Sequence, residues 1–264
     1  MRKSIIVAGI VAGLTTTLAA SAQDASGQTS GQANVGMSLP GATPATAATG
    51  ASDHDQMVGR LAVGYLGRAT VGAGAATVDG GGDVTPAPGA YAVVASAPVI
   101  GVRYWLTSMI GIDAGIGFAF LGGSFETTDP DADGDLDSFT GFVFHGGVPL
   151  ALASADHFTF EIIPELNVGF GSADQGPGGE VSHSGFRLDI GARAGAEIHF
   201  GFIKIPQLSL QASVGVLFAY DNASTDIDGG APASVSGSRT AFQTTVESNP
   251  WNIFTSNVAA LYYF

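Results

Sequence analysis

Cysteine is absent from the 264 residues, which excludes disulfides, a lipid-anchored cysteine, thiol catalysis and cysteine-based metal sites. Charge is scarce as well, because 12% of residues are charged where a soluble domain carries about 25%. Basic residues are the rarest, with 9 Lys and Arg against 23 Asp and Glu and a formal net charge of −14. Such a chain is a poor partner for nucleic acid or anionic lipid head groups.

Long apolar runs are missing too, although 45% of residues are hydrophobic. Beyond the N-terminal region, no segment approaches the roughly 18 to 20 continuous apolar residues of a membrane-spanning helix. Strands explain the combination of high hydropathy and short runs, because only every second residue of a transmembrane strand faces lipid. The composition therefore favours membrane-spanning strands over helices.

The N-terminal region has the features of a secretory signal. Arg2 and Lys3 precede a short apolar stretch, which ends in small residues suited to cleavage before Gln23. The residues that follow are mainly Ala, Gly, Thr, Ser and Gln, a composition typical of a flexible segment. We predict three parts: a signal peptide at 1–22, a flexible low-complexity leader at 23–55 and an outer-membrane β-barrel domain at 56–264.

Eight segments of the remaining chain alternate between apolar and polar residues, and each is long enough to supply the roughly 9 to 11 residues that a tilted strand needs to cross a bilayer. They are 57–67, 98–106, 110–121, 139–153, 158–171, 185–202, 208–220 and 251–264. The connections between them alternate between long and short. That pattern predicts an all-β fold, an eight-stranded antiparallel up-and-down transmembrane β-barrel with both termini in the periplasm.

Alternation alone leaves open a soluble barrel of the lipocalin type, whose apolar face points inward. The aromatic residues decide between the two, because they fall near the ends of the strands and form two bands, as interfacial girdles do. One band is Tyr65, Phe118, Phe120, Phe142, Phe144, Phe170, Phe186, Phe218, Tyr220 and Trp251, and the other is Tyr104, Phe158, Phe160, Phe200, Tyr262 and Phe264. This banding favours an apolar face that points outward to lipid.

Charged residues and glycines occupy the opposite, inward face. An eight-stranded barrel is wide enough only for side chains to fill it, so inward arginines and carboxylates must pair with one another. We predict a charge network in the lumen that acts as a structural plug, with a conduction or proton pathway as the alternative. Its members are Arg60, Arg103, Asp113, Glu161, Glu165, Arg187, Asp189, Arg193, Glu197 and His199, with His145 on the same face.

The final strand alternates up to an aromatic C-terminal residue, with Tyr262 and Phe264 on one face. In this it resembles integral β-barrels of the bacterial outer membrane, specifically the small OmpA-like and OmpX-like class. The resemblance implies that Tyr262 and Phe264 form an assembly signal read by the outer-membrane assembly machinery. We expect a barrel without a peptidoglycan-binding domain, surrounded by outer-membrane lipid and lipopolysaccharide, and a monomer.

One loop has carboxylates at alternate positions followed by a glycine, as in the first half of an EF-hand-type calcium loop. The carboxylates are Asp129, Asp131, Asp133, Asp135 and Asp137. The twelfth position is Thr140 rather than the bidentate Glu. Calcium bound at 129–137 is therefore one expectation, and a solvated acidic loop without any cofactor is the other.

Catalytic chemistry has little support in the sequence. His183 and Ser184 are adjacent, and adjacent residues of an extended chain point to opposite sides, so they do not form a base and a nucleophile. We expect a non-enzymatic barrel with a structural or surface-interaction role. A narrow channel for ions or small solutes is the first alternative, and a lipid-modifying enzyme is the second.

Overall fold

The computed structural model of this chain describes residues 51–78, 84–87, 91–125, 134–175, 181–228, 233–246 and 257–264. These residues form one short α-helix, a single 3-10 turn at Gly201–Ile203 and twelve strands. The helix is α1 (Asp53–Met57). The strands are β1 (Leu61–Ala73), β2 (Ala76–Val78), β3 (Val84–Pro86), β4 (Val93–Trp105), β5 (Gly111–Phe125), β6 (Gly134–Gly147), β7 (Leu150–Ala155), β8 (Phe158–Gln175), β9 (Val181–Phe200), β10 (Ile205–Ile227), β11 (Ala233–Thr244) and β12 (Val258–Tyr263).

Eight of the described strands pair side by side in a closed antiparallel ring, in the order β1, β4, β5, β6, β8, β9, β10, β12 and back to β1. The prediction of an all-β fold with eight antiparallel strands is confirmed. Brief connections join β4 to β5, β6 to β8 and β9 to β10, and all three lie at one end of the ring, here called the short-turn end. The other end is the long-loop end.

The β6–β8 connection contains a strand break that two prolines, Pro149 and Pro164, explain. Gly147 is paired with Glu165, and the next paired residues are Leu150 and Ile162. Val148 and Pro149 lie between them, outside the ladder. Because proline lacks the N–H that a ladder needs, pairing stops there and resumes in β7. The predicted strand at 139–153 is therefore two strands, β6 and β7, which both pair with β8.

The ring has an apolar outside, and its inside contains many buried charged and polar groups. Phe118, Phe142, Phe170 and Phe186 are direct neighbours on four successive ring strands, and Phe118 is 67% exposed. The buried side chains of the ring strands are of two kinds. Some form an apolar cluster that includes Trp105, Phe139 and Leu261. Others are charged or polar, and they include Arg103, Asp113, Glu161, Asp189, Arg193, Glu197 and His199, each at most 8% exposed. So many buried charges behind an exposed apolar face differ from a soluble domain, in which charged residues are rarely buried.

Strands extend beyond their predicted bounds at the long-loop end. The predicted loop at 221–250 contains the end of β10 and the whole of β11, which pair over twelve residues. The predicted loop at 68–97 contains the end of β1, the small β2–β3 hairpin and the start of β4. These segments are rich in Ser, Thr, Ala and Gly, and both faces of β11 are mostly exposed, so no apolar alternation marks them as strands.

The ladder along β10 passes directly from β11 to β12. The Thr245 N–H donates to Gly215 O at 3.0 Å, and the Ser213 N–H donates to Asn257 O at 3.0 Å. A single residue of β10, Val214, therefore lies between the contact made by Thr245, just after β11, and the contact made by Asn257, just before β12. Of the predicted strand at 251–264, the structure describes the part from residue 257, and Trp251 lies outside the described residues.

The loop-end half of β1 turns into the ring. β1 pairs with β12 over Ala62–Tyr65 and then shifts register between Tyr65 and Gly67. Further along, the Gly72 carbonyl lies so close to Gly171 and Gly185 that a Cβ atom at either position would overlap it. The Gly74 N–H donates to Ser184 O at 3.1 Å. Thus β1 closes the interior near the long-loop end.

The predicted first strand at 57–67 begins in a helix instead. Ser52 caps α1 by accepting the Asp55 N–H, while the Asp55 carboxylate accepts the Ser52 N–H, which is a complete capping box. The end of the predicted leader is thus ordered and packed, since Asp53 and His54 are buried. None of the helices formed by the described residues has the length and hydropathy to cross a membrane.

Candidate functional site

Arg103 lies at the centre of a buried ion cluster near the short-turn end. Its Nε and Nη2 atoms donate to the two carboxylate oxygens of Asp113 at 2.8 and 2.7 Å. Its Nη1 atom donates to Glu197 Oε2 at 3.0 Å and contacts Glu161 Oε2 at 3.5 Å. We call these four residues the Arg103 cluster. Each of them is at most 3% exposed.

The register of neighbouring strands brings Arg103 to Asp113, and closure of the ring brings Glu161 and Glu197 to Arg103. A tight turn joins β4 to β5, which sets Arg103 directly opposite Asp113. Glu161 and Glu197 come from β8 and β9 on the far side of the ring. Because β9 is the fourth strand from β4 in either direction, the Arg103 side chain spans the interior.

Glu197 is held by further hydrogen bonds from β10 and β12. The Tyr263 hydroxyl donates to Glu197 Oε1 at 3.0 Å and accepts from Trp105 Nε1 at 3.0 Å, and the Ser209 hydroxyl also donates to Oε1. His199 Nε2 lies 3.8 Å from the same oxygen. One guanidinium therefore faces three buried carboxyl groups here.

A second group of charged side chains lies nearer the long-loop end. Arg187 Nε donates to both oxygens of Asp189 at 2.9 and 3.0 Å, and its Nη1 donates to Asp221 at 3.3 Å. Arg193 Nη2 pairs with Glu165 Oε2 at 2.6 Å. The Tyr91 hydroxyl joins the group by bonding Asp221 at 3.0 Å.

The Arg187–Asp189 and Arg193–Glu165 pairs line a cavity of about 300 Å³ inside the ring, which we call the interior cavity. His145 and Asn167 also line it, with His145 Nδ1 2.8 Å from Asn167 Oδ1. Along β8, Glu165 lies between Glu161 of the Arg103 cluster and Gly171, which abuts β1. The cavity therefore lies between the Arg103 cluster and the inward part of β1.

The helix α1 contacts all three brief connections at the short-turn end. The Asp53 N–H donates to Asp156 O at 2.9 Å, and the Asp53 carboxylate pairs with His157 at 2.7 Å and accepts the Gly201 N–H at 3.1 Å. His54 Nε2 donates to Ser108 O at 3.0 Å. We call α1 in this position the α1 cap.

His54 and Met57 are the most enclosed side chains of the α1 cap, each at 1% exposure; the His54 ring is the polar one. This ring packs edge-on against Trp105, with the centroids 4.4 Å apart, and lies 6.2 Å from the His199 ring. Burial lowers the pKa of the His54 imidazole, against a smaller opposing effect from its bond to Ser108. The cap is therefore built around a neutral histidine.

The predicted lumen residues divide into two groups and one exception. Arg103, Asp113, Glu161, Glu197 and His199 come together near the short-turn end, and Glu165, Arg187, Asp189 and Arg193 come together at the interior cavity. Arg60 is in neither group, and its assignment to the interior is wrong. It is exposed and precedes β1, because the turn after α1, with Gly59 at φ 77°, puts it at the rim.

Some residues of the site were not predicted. Trp105 has the same parity as the predicted inward Arg103, and Tyr263 has the parity opposite to the predicted outward Tyr262 and Phe264, so residue parity could have identified both. His54, Tyr91 and Asp221 could not be found in this way, because the sequence gives no sign that α1, the residues before β4 or the end of β10 face the interior.

The predicted calcium loop lies mostly outside the described residues, which do not include Asp129, Asp131 or Asp133. Asp135 is part of β6, where its backbone pairs with Ser124, and Asp137 is exposed on the same strand. Within the described residues no group of three or more His, Asp or Glu side chains is arranged to hold a metal ion. Calcium at 129–137 stays a prediction.

His183 and Ser184 have separate surroundings. His183 Nδ1 lies 2.9 Å from the Thr225 hydroxyl inside the ring, while Ser184 Oγ lies 2.8 Å from Ser224 Oγ on the exposed face. On the last strand, Tyr262 and Phe264 are exposed, and their ring centroids are 5.2 Å apart.

No family model, curated protein or solved structure matches this chain.

Proposed function

We propose that this chain is an eight-stranded transmembrane β-barrel of the bacterial outer membrane, OmpA-like or OmpX-like in class, with a structural or surface-interaction role. The observation that carries the proposal is the inverted ring. Large apolar side chains such as Ile116 and Phe118 are about two-thirds exposed, at 65 and 67%, while an arginine and three carboxylates are buried. Water would disfavour that outer face, and hydrocarbon favours it.

The orientation follows from the connections. Outer-membrane barrels have brief turns in the periplasm and longer loops outside. The short-turn end, where β1 begins and β12 ends, then faces the periplasm. The aromatic row of Phe118, Phe142, Phe170 and Phe186 lies nearer the outer surface, and Tyr104, Phe158 and Tyr262 lie nearer the periplasm.

A closed interior supports a structural role over conduction. The Arg103 cluster spans the ring, the α1 cap contacts the three turns at one end, and the inward part of β1 fills the other. A narrow channel is the second candidate, favoured by the interior cavity of about 300 Å³ and its charged lining.

The exposed surface at the long-loop end supports surface interaction. Four exposed carboxylates lie there among the described residues: Asp137, Asp174, Asp226 and Asp228. Such a surface attracts cations, which in turn can bridge it to the phosphates of lipopolysaccharide. Comparing lipopolysaccharide binding with and without magnesium tests this part of the proposal.

Planar-bilayer conductance of the refolded chain separates the two candidates. We expect no steady current. A reproducible current that changes when Arg193 is replaced by Gln would contradict the closed barrel and support the channel. Two further measurements test membrane insertion. The unboiled protein should migrate differently from the boiled protein on a gel, and it should need detergent to stay in solution. Extraction into plain buffer would exclude a membrane barrel.

A further inference from the structure

The interior cavity is richer in positive charge than the chain around it. Three of the nine Lys and Arg residues line it, namely Arg68, Arg187 and Arg193. Two carboxylates line it, those of Glu165 and Asp189. In a chain whose acidic residues outnumber the basic ones by more than two to one, this is a local reversal of charge.

The carboxylates of the cavity are already bound. Glu165 pairs with Arg193 at 2.6 Å, and both oxygens of Asp189 accept from Arg187. Their charge is thus balanced within the protein, and their acceptor capacity is partly used. Neither is arranged as a free cation ligand.

Unused hydrogen-bonding capacity in the cavity is largely that of donors. Arg193 Nε is buried and has no partner among the described residues, although the residue is 8% exposed and charged. His145 Nε2 is also buried without a partner among the described residues, and whether it donates or accepts depends on the ring tautomer. Arg68 lines the cavity, is exposed, and forms no ion pair with a carboxylate of the described residues. Buried donors without partners are costly, so a ligand or water must satisfy them.

We propose that the interior cavity binds a phosphate group, either as the free anion or as the head group of a lipid. Guanidinium groups bind phosphate oxygens with well-oriented, charge-assisted hydrogen bonds, and a tetrahedral anion can accept from Arg68 and Arg193 on different sides. The volume of about 300 Å³ is sufficient for such a group with several waters. This site goes beyond the proposed structural role and does not depend on conduction.

The test is titration calorimetry of the full mature chain, refolded in uncharged detergent. Inorganic phosphate and a short-chain phosphatidic acid are the two probes. Saturable binding of inorganic phosphate indicates a site for the free anion, and binding of phosphatidic acid alone indicates a lipid head group. Either result supports the proposal. No saturable binding of either probe in the millimolar range overturns it and leaves a water-filled cavity.

Three variants identify the site. Arg68→Gln removes an exposed guanidinium, and Arg193→Lys keeps a positive charge for Glu165 but removes the Nε donor. We expect each to weaken binding by about tenfold, the loss of one charge-assisted bond. Arg239→Gln, an exposed arginine on β11, is the matched control and should not change binding.

Equal weakening by Arg239→Gln would indicate general surface attraction, and unchanged binding in Arg68→Gln and Arg193→Lys would exclude the cavity. Both results overturn the proposal. Gel mobility of each unboiled variant reports folding independently of binding. If Arg193→Lys does not fold, the comparison of Arg68→Gln with Arg239→Gln still decides the result.

Discussion

Arg103 on β4 and Glu197 on β9 meet across the ring, with Nη1 3.0 Å from Oε2 and both side chains at most 1% exposed. These two strands are as far apart as two strands of an eight-membered ring can be. An arginine side chain that reaches between them leaves no open passage at that level. The charge pair therefore couples opposite walls of the ring as well as filling it.

We expect Arg103→Met to be strongly destabilising, because it leaves three buried carboxylates without their cation. Breaking a buried ion pair from one side costs about 3 to 5 kcal/mol. Urea unfolding of the detergent-folded protein measures the loss. Arg239→Met, at an exposed position on β11, is the control, and a similar midpoint for the two variants would contradict a stabilising role for the cluster.

The alternation of residues between the two faces of a strand predicts part of this site. Alternation places Arg103, Glu161 and Glu197 on the inward face of their strands. It cannot say that Arg103 reaches Glu197 rather than Glu165, because that depends on strand stagger around the ring. Alternation also assigns Arg60 to the inward face, but β1 begins at Leu61, so the rule does not apply to Arg60.

Elements without an apolar face were equally hard to predict. β11 is polar on both sides and forms by pairing with β10, and α1 has five residues, too few for a periodic pattern. The turn of β1 into the ring follows a register shift at Gly67, in a segment where several glycines permit close backbone contact. Such features depend on tertiary neighbours rather than local pattern.

A second prediction concerns the contact between β1 and the opposite wall. We expect Gly185→Ala to destabilise the fold, because the new Cβ atom would overlap the Gly72 carbonyl and a backbone group cannot rotate away. Overpacking of this kind costs about 1 to 3 kcal/mol. Urea unfolding provides the measurement. Gly146→Ala is the matched control in a ring strand, since a Cβ there would meet nothing within 4 Å.

If the two glycine variants had equal stability, β1 would not press against β8 and β9 in the folded protein. The interior would then be open at the long-loop end, and the closed-barrel proposal would lose one of its three supports.

A third prediction is a pH dependence of the α1 cap. Because burial lowers the pKa of His54 below its ordinary value of 6.5, the folded chain holds this proton less tightly than the unfolded chain does. The stability that neutral His54 provides is present above pH 6.5 and is lost as the pH falls below that value. His199, Glu197 and Asp55 are the titratable groups nearest to its charge.

His54→Gln removes the titration and keeps a side-chain donor for the Ser108 carbonyl. We expect its thermal midpoint to depend less on pH below 6.5 than that of the parent protein. Measurements at about pH 8, where an ordinary histidine is neutral, provide the reference for the packing change. Parallel pH profiles for the two proteins would show that His54 is not the group responsible.

A fourth prediction addresses the terminal strand. Phe264 is 70% exposed, and its N–H donates to Leu61 O at 2.9 Å. We expect Phe264→Ser to keep that backbone bond and to refold in detergent, yet to reach the outer membrane of cells in smaller amounts. Phe242→Ser is the control, because Phe242 is 74% exposed on β11, away from the terminal strand. Equal membrane yields would contradict an assembly signal at Phe264.

The last prediction distinguishes a membrane barrel from a soluble one. Ile116 is 65% exposed on β5 and pairs with Ile100 and Phe144, between the two aromatic bands. In a soluble protein, arginine at so exposed a position would change stability by less than about 0.5 kcal/mol. Facing the middle of a bilayer, it would cost about 2 to 4 kcal/mol. We therefore expect Ile116→Arg to reduce the urea midpoint of the protein folded in lipid vesicles, whereas Thr240→Arg on exposed β11 should leave it unchanged. If both variants matched the parent protein, lipid would not surround this face of the ring.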